Sequence, residues 1–256
     1  MLLAIDAGNT NIVFAVYQDD TQQGVWRIST DVKRTADEYA VWLLQLMAFT
    51  NIARDQITQA IIATVVPDAL FNLVSLCKRY FSIKPLVVGD ADVKLPARAL
   101  TDRPDEVGAD RLIDSIAAAD RYGGPLITVD FGTATCFDLV DADGNFRGGV
   151  IAPGINLSLE ALHNAAAKLP RVAIKRTEKV VATRTVAAMQ SGIFWGYVGL
   201  IEGIVQRMRA ETGETLKVVA TGGLAPMFAD ATTVIDHIDS DLTLHGLVLI
   251  NRLNQE

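Results

Sequence analysis

Two stretches of the chain place a carboxylate, a glycine and side-chain donors close together. The first is Asp6-Ala7-Gly8-Asn9-Thr10-Asn11 and the second is Asp130-Phe131-Gly132-Thr133-Ala134-Thr135. Each directly follows a short apolar run, Leu2–Asp6 and Leu126–Asp130. The combination suits phosphate chemistry. Glycine lets the backbone turn and lets amide groups approach an anion without a Cβ in the way. Successive amides in such a turn form a concave nest for an anion, and Asn and Thr add donors. An Asp at the strand end cannot bind phosphate itself, so its natural use is to hold a cation that does. One copy alone reads as an ordinary hairpin turn, where Asp, Asn, Gly and Thr are favoured anyway. Two copies at equivalent places in a repeated topology favour phosphate binding.

The elements that must position these turns are legible from periodicity. Leu2–Asp6, Ile12–Tyr17 and Gly24–Ile28 read as three strands. A helix follows, capped by Thr35 or Asp37, with Tyr39, Trp42, Leu43, Leu46 and Met47 at helical spacing. Ala60–Val66 is a buried strand. A helix capped by Asp68 then turns Leu70, Leu73, Val74 and Cys77 inward, and Leu86–Val88 is a short strand. A polar connection leads to a helix over Val107–Arg121. The opening pattern then returns with strands Leu126–Asp130, Cys136–Val140 and Phe146–Ile151, the last two joined at Asp143-Gly144. Helices from Ile155 and Thr185, a strand Lys217–Ala220, a Thr221-Gly222-Gly223 turn and a helix Leu242–Leu253 complete the chain. The same strand–turn–strand–turn–strand unit thus occurs twice, about 125 residues apart. A repeat of this size predicts two similar α/β lobes, residues 1–121 and 122–256, facing each other across a cleft.

Composition narrows the function. Half of the 256 residues are hydrophobic and none of the chain is low in complexity, so a packed core is expected. A net charge of −7 argues against a nucleic-acid partner, which needs a basic face. The apolar runs fall far short of the roughly 20 residues that span a bilayer, and the amino-terminal one is too short for a signal sequence. A soluble cytoplasmic protein with no membrane partner is expected. Cys77 and Cys136 have no metal-like spacing and are expected as buried free thiols, while His163, His237 and His245 are scattered.

Competing motifs fail on context. Neither a G-x-x-x-x-G-K-[ST] loop nor a G-x-G-x-x-G turn follows any strand. Val172-Ala173-Ile174-Lys175 and Asp130-Phe131-Gly132 match protein-kinase strings, but in reversed order and without an H-R-D loop. Asp141-x-Asp143-x-Asn145 opens like a calcium loop, yet Phe146 stands where glycine is required. The spacing Gly192, Gly196, Gly199 and Gly203 marks one face of a long helix for close packing, with a homodimer as one use.

The paired hairpins and the late Gly-Gly turn resemble the actin-like superfamily of sugar and acetate kinases and chaperone ATPases. Within it the chain resembles the type III pantothenate kinases, the CoaX family. Five segments carry the likeness in order: Asp6–Thr10, Glu106-Val107-Gly108-Ala109-Asp110-Arg111, Asp130–Thr135, Gly148-Gly149-Val150-Ile151-Ala152-Pro153-Gly154, and Ala220-Thr221-Gly222-Gly223-Leu224-Ala225-Pro226. Ser191-Gly192 with Gly196 adds to it. The sequence departs from the pattern at Thr101, where a Tyr is expected, at Arg103, where Asn precedes the proline, and at Cys136, where a Thr is expected.

The resemblance implies two ribonuclease H-like (actin-like ATPase) lobes, each a mixed five-stranded sheet with flanking helices around a central cleft. It also implies ATP-dependent phosphorylation of pantothenate to 4′-phosphopantothenate, the first step of coenzyme A biosynthesis. By the same route Asp6, Ala7, Gly8, Asn9, Thr10, Asn11, Ile12 and Val13 would hold ATP phosphates, with Asp6 on their Mg²⁺. Thr133, Gly222 and Gly223 would also contact ATP. Gly108, Ala109, Asp110, Arg111 and Thr185 would bind pantothenate, with Asp110 as proton acceptor. Asp130 would bind a monovalent cation, K⁺ or NH₄⁺, and the family is typically homodimeric. Two other readings are open from sequence: another small-molecule kinase or phosphatase of the superfamily, and an ATP-binding regulator without an acceptor.

Overall fold

The computed structural model describes residues 1–165 and 169–255. Its strands are β1 (Leu2–Ala7), β2 (Asn11–Gln18), β3 (Thr21–Ser29), β4 (Gln59–Thr64), β5 (Leu86–Val87), β6 (Leu126–Phe131), β7 (Ala134–Val140), β8 (Phe146–Pro153), β9 (Lys217–Thr221) and β10 (His237–Ile238). The α-helices are α1 (Ala36–Phe49), α2 (Pro67–Tyr80), α3 (Ala109–Tyr122), α4 (Ile155–Ala165), α5 (Thr185–Thr212), α6 (Ala225–Phe228) and α7 (Leu242–Leu253). They build two five-stranded mixed sheets of order β3-β2-β1-β4-β5 and β10-β9-β6-β7-β8. Strand for strand these orders are equivalent, so the repeat seen in sequence is a repeat of topology.

Each sheet owes its order to a central strand. β1 pairs antiparallel with β2 and parallel with β4, and β6 does the same with β7 and β9. A strand paired on both edges and covered on both faces must be apolar at nearly every position. β1 and β6 accordingly share one burial pattern, with a single half-buried position near the end, at Asp6 and at Asp130. Period-two alternation sorts the rest of β1. Leu3, Ile5 and Ala7 join the core under α1 and α2, while Leu2 and Ala4 join the core that includes Ile113 of α3 and Leu247 of α7.

The chain divides into two compact units. One comprises Met1–Arg98, Arg103–Ala117 and Asp241–Glu256, and the other Ala99–Asp102 with Ala118–Ser240. The final helix therefore belongs with the first unit, where the sequence reading groups it with the second. The reason is packing: Leu244, Leu247, Val248 and Ile250 of α7 fill the core beside Ile61 and Ala63 of β4.

Local signals behave as their chemistry requires. Thr35 caps α1 in a reciprocal box, its backbone N–H donating to Glu38 Oε2 at 2.8 Å and Glu38 N–H donating back to Thr35 Oγ1 at 3.3 Å. At α2 the cap expected from Asp68 is absent. Pro67 opens that helix, whose missing N–H fits the first position, and Asp68 lies inside the first turn. Cys77 is a buried free thiol, but Cys136 is only half-buried, a correction that follows from its place on β7 opposite Asp130. Among the described residues no helix is long and apolar enough to cross a membrane.

Candidate active site

In the first unit, the alternation of β1 sets the orientation of Asp6. It follows Leu2 and Ala4, on the face covered by α3 rather than by α1 and α2. Asp110 stands in the first turn of that same α3. The two carboxylates sense each other. Burial pushes the Asp6 carboxyl up to about 7, and the nearby Asp110 charge adds to the rise. Asp110 is also raised, again chiefly by burial, against the pull of the Arg111 backbone N–H at 2.8 Å and the Arg111 guanidinium. Gly108 makes room: a Cβ there would fall 2.6 Å from Asp110 Oδ1 and displace that carboxylate.

The first turn is pinned from one side. Gly8 N–H donates to the Asn11 carbonyl at 3.0 Å. Thr30 donates its N–H to the Thr10 carbonyl at 3.0 Å and its hydroxyl to the Gly8 carbonyl at 2.6 Å. Asn9, Thr10 and Asn11 remain exposed at the tip. Ala7 and Ile12 are fully buried and Val13 is half-buried, so any contact these three make with phosphate runs through the backbone.

In the second unit, Asp130 lies one residue before the end of β6, opposite Cys136 on β7 and Thr221 on β9. Gly132 N–H donates to the Ala134 carbonyl at 3.0 Å, closing a turn whose tip, Gly132 and Thr133, is exposed. Two glycines back this arrangement. Gly222 has φ +89°, and a Cβ on it would lie 2.7 Å from both Asp130 Oδ1 and the Phe131 carbonyl oxygen. Gly154 donates its N–H to the Thr133 carbonyl at 3.0 Å, and a Cβ there would sit 2.3 Å from that oxygen. Only glycine fits at either place. Gly223 is exposed beside Gly222, and Thr185 is exposed as the first residue of α5.

The structure thus brings Asp6 together with Gly108, Ala109, Asp110 and Arg111 in one unit, and Asp130 together with Gly132 and Gly222 in the other. Several supporting residues were not singled out from sequence. Thr30 is one, and no local signal marks it. The clamp of α7 on α3 is another: Thr243 Oγ1 donates to the buried Asp114 carboxylate at 2.6 Å, and Gly246 is pressed against Ile113. A glycine inside the apolar helix Leu242–Leu253 was the available sign of that close approach. Among the described residues there is no cluster of three or more His, Cys, Asp or Glu able to hold a metal ion.

A family model described as type III pantothenate kinase matches residues 2–207. A type III pantothenate kinase of Paramagnetospirillum magneticum is 64% identical over 254 residues, covering 99% of this chain and 98% of its own. One from Caulobacter vibrioides is 54% identical, covering 99% and 98%. Among solved structures, the ethanolamine utilization protein EutJ of Carboxydothermus hydrogenoformans superposes with a TM-score of 0.55 at 16% identity, covering 97% of this chain and 89% of its own. Component A of the (R)-2-hydroxyglutaryl-CoA dehydratase of Acidaminococcus fermentans does so with a TM-score of 0.53 at 10% identity, covering 100% and 99%. These two likenesses concern the fold, which is that of actin-like ATPases and sugar kinases. The family match sets aside the two other readings left open by sequence, and the chain belongs to the type III pantothenate kinases, which phosphorylate pantothenate with ATP in coenzyme A biosynthesis.

Proposed function

We propose that Asp110 is the catalytic residue of this pantothenate phosphorylation and that the repeated turns divide the work on ATP. The observation that carries the reading is the Asp6–Asp110 pair, two half-buried carboxylates at the end of β1 and the start of α3. Phosphoryl transfer passes through a loose transition state, so positioning and charge neutralisation matter more than strong base chemistry. Asp110 orients the acceptor hydroxyl in line with the γ-phosphorus and takes its proton as the new O–P bond forms and ADP leaves. Its raised pKa favours that late proton transfer. Gly108 and Ala109 bring the chain into α3 beside the acceptor, and Arg111 pairs with the acceptor carboxylate. Thr185 adds a hydroxyl to it.

Asp6 and the turn Ala7–Val13 hold the ATP phosphates, with Thr133, Gly222 and Gly223 as further nucleotide contacts. A divalent cation fits Asp6, because it would offset the burial penalty and the added Asp110 repulsion that raise this carboxyl towards neutral pH. Mg²⁺ carried in with ATP would be held there by Asp6 and would supply phosphate charge neutralisation. A monovalent cation is assigned to Asp130, whose Oδ1 and the Phe131 carbonyl oxygen both crowd the Gly222 backbone. One carboxylate and a backbone carbonyl form a hard, singly charged oxygen set. K⁺ or NH₄⁺ held there would supply fixed positive charge near the second turn. The exposed Gly192, Gly196 and Gly199 of α5 suit a homodimer contact, since a Cβ at any of them would meet nothing within 4 Å of this chain. We place the enzyme in the cytoplasm.

The test is ADP release from Mg-ATP with and without pantothenate, in K⁺ and then in Na⁺ buffer. Turnover that requires both pantothenate and K⁺ is expected. Turnover indifferent to K⁺ and NH₄⁺ would remove the role given to Asp130.

A further inference from the structure

The residues between α4 and α5 form a basic strap in an acidic protein. Residues 169–184 carry Arg171, Lys175, Arg176, Lys179 and Arg184 against a single acid, Glu178, while the whole chain has net charge −7. All five cations are exposed, and among the described residues none of them has an ion-pair partner. The strap has no regular secondary structure, yet α5 holds it closely. Gln190 Nε2 donates to the Ala173 carbonyl at 3.1 Å, Ser191 Oγ to the Val180 carbonyl at 2.6 Å, and Trp195 Nε1 to Thr177 Oγ1 at 3.1 Å. Arg176 lies 5.6 Å from the Trp195 ring centroid and donates to the Asp230 carbonyl at 3.1 Å. Four anchors therefore fix a backbone whose remaining cations point into solvent. A charge run on a mobile tail needs no such anchoring.

We infer that this strap is an electrostatic collector for the acceptor, raising the local concentration of the pantothenate carboxylate ahead of Thr185. The inference rests on the acceptor role proposed for Thr185, the residue that directly follows the strap. The physical need is clear. Pantothenate is an anion, and a protein of net charge −7 repels it. A concentrated set of unpaired cations at the edge of a binding site attracts counter-ions and raises their encounter rate about 10- to 1,000-fold when many charges act together. Such attraction reaches about 8 Å at physiological ionic strength, so it must be built beside the site it serves. Lys175 and Lys179, like Arg171, have no side-chain tie to α5, which makes them carriers of charge alone.

The experiment is steady-state kinetics at saturating Mg-ATP of the double variant Lys175→Gln, Lys179→Gln. Pantothenate is compared with a neutral pantothenamide as acceptor, at low ionic strength and in high KCl. For pantothenate at low ionic strength, KM is expected to rise about 3- to 10-fold with kcat unchanged. The difference should shrink in high KCl and be absent with the neutral acceptor. A KM unchanged for pantothenate, or raised equally for the pantothenamide, would overturn the collector. Far-UV circular dichroism and Tm of the variant separate this from a folding defect. If the strap is disturbed structurally, Lys175→Arg, Lys179→Arg should restore pantothenate KM while the Gln pair does not. A failure of Thr185 as acceptor contact reads out differently: Thr185→Val would then leave both acceptors unaffected, whatever the lysines do.

Discussion

The two glycine turns occupy the same place in the same topology, yet they are supported differently. In the first unit the turn between β1 and β2 takes Gly8 to Asn11 and is braced by Thr30 from the end of β3. In the second, the turn between β6 and β7 closes directly from Gly132 to Ala134 and is backed by Gly154 and Gly222. The strand-end carboxylates differ in the same way. Asp6 faces a second carboxylate on a helix, whereas Asp130 faces glycine backbone and a carbonyl. A duplicated scaffold has thus kept its strands and diverged in what lies behind each turn. One half sets its strand-end carboxylate beside a second one, and the other sets it against glycine backbone.

The largest effect should separate the two halves by chemistry. Asp110→Asn is expected to fold normally and to lose about 10²–10⁴-fold in turnover, with K⁺ dependence of the residual activity retained. Asp130→Asn should show the reverse profile, a loss of K⁺ activation with the pH dependence of turnover preserved. Steady-state rates across a K⁺ titration check both. An Asp110→Asn enzyme with near wild-type turnover would end the division drawn here.

A smaller effect tests the glycine backing. Gly222→Ala meets a strained backbone at φ +89° and two oxygens at 2.7 Å, one of them main-chain and unable to swing aside. It should lower stability by about 1–3 kcal/mol and raise the K⁺ concentration needed for half-activation. Gly8→Ala meets only the Asn11 carbonyl, at 3.3 Å, and has no such backbone strain. Its loss should stay below about 1 kcal/mol. Chemical denaturation of the two variants gives the comparison, and equal losses would show that the turns are built alike after all.

Much of this was legible in the sequence because the signals were local. Apolar runs ended by Asp marked β1 and β6, the Thr35 box marked α1, and Leu242–Leu253 was read to its observed ends. The one-residue offset of Thr between the two motifs was also visible, and the turn geometry explains it. What escaped was non-local. Nothing near Leu242 says that its helix packs on β1 and β4 of the first unit, because a buried apolar face reads the same wherever it docks. The two-residue β10 and four-residue α6 were too short to show a period. Gly154 was quoted for the motif it belongs to, while its contact with Thr133 depends on β8 returning beside β7. The Asp6–Asp110 proximity likewise joins residues a hundred positions apart in sequence, and only the β1 alternation and the α3 placement together reveal it.

The smallest effect concerns the stability that the first unit gives up for its carboxylate pair. Unfolded, Asp6 titrates at its ordinary value of 3.8; folded, at about 7. Between those values the folded chain holds a proton that the unfolded chain has released, so stability falls as pH rises through this window and is flat below it. Asp6→Asn removes the titration. The variant should match wild type near pH 3.5, and by pH 8 should be the more stable protein by about 1–2 kcal/mol, since partial solvent access screens the full linkage. A Tm series from pH 4 to 8 reads this directly. Saturating Mg-ATP should cancel the difference at pH 8, because a cation on Asp6 stabilises the ionised form that burial penalises. An Asp6→Asn variant no more stable than wild type at pH 8 would show that Asp6 does not carry this titration.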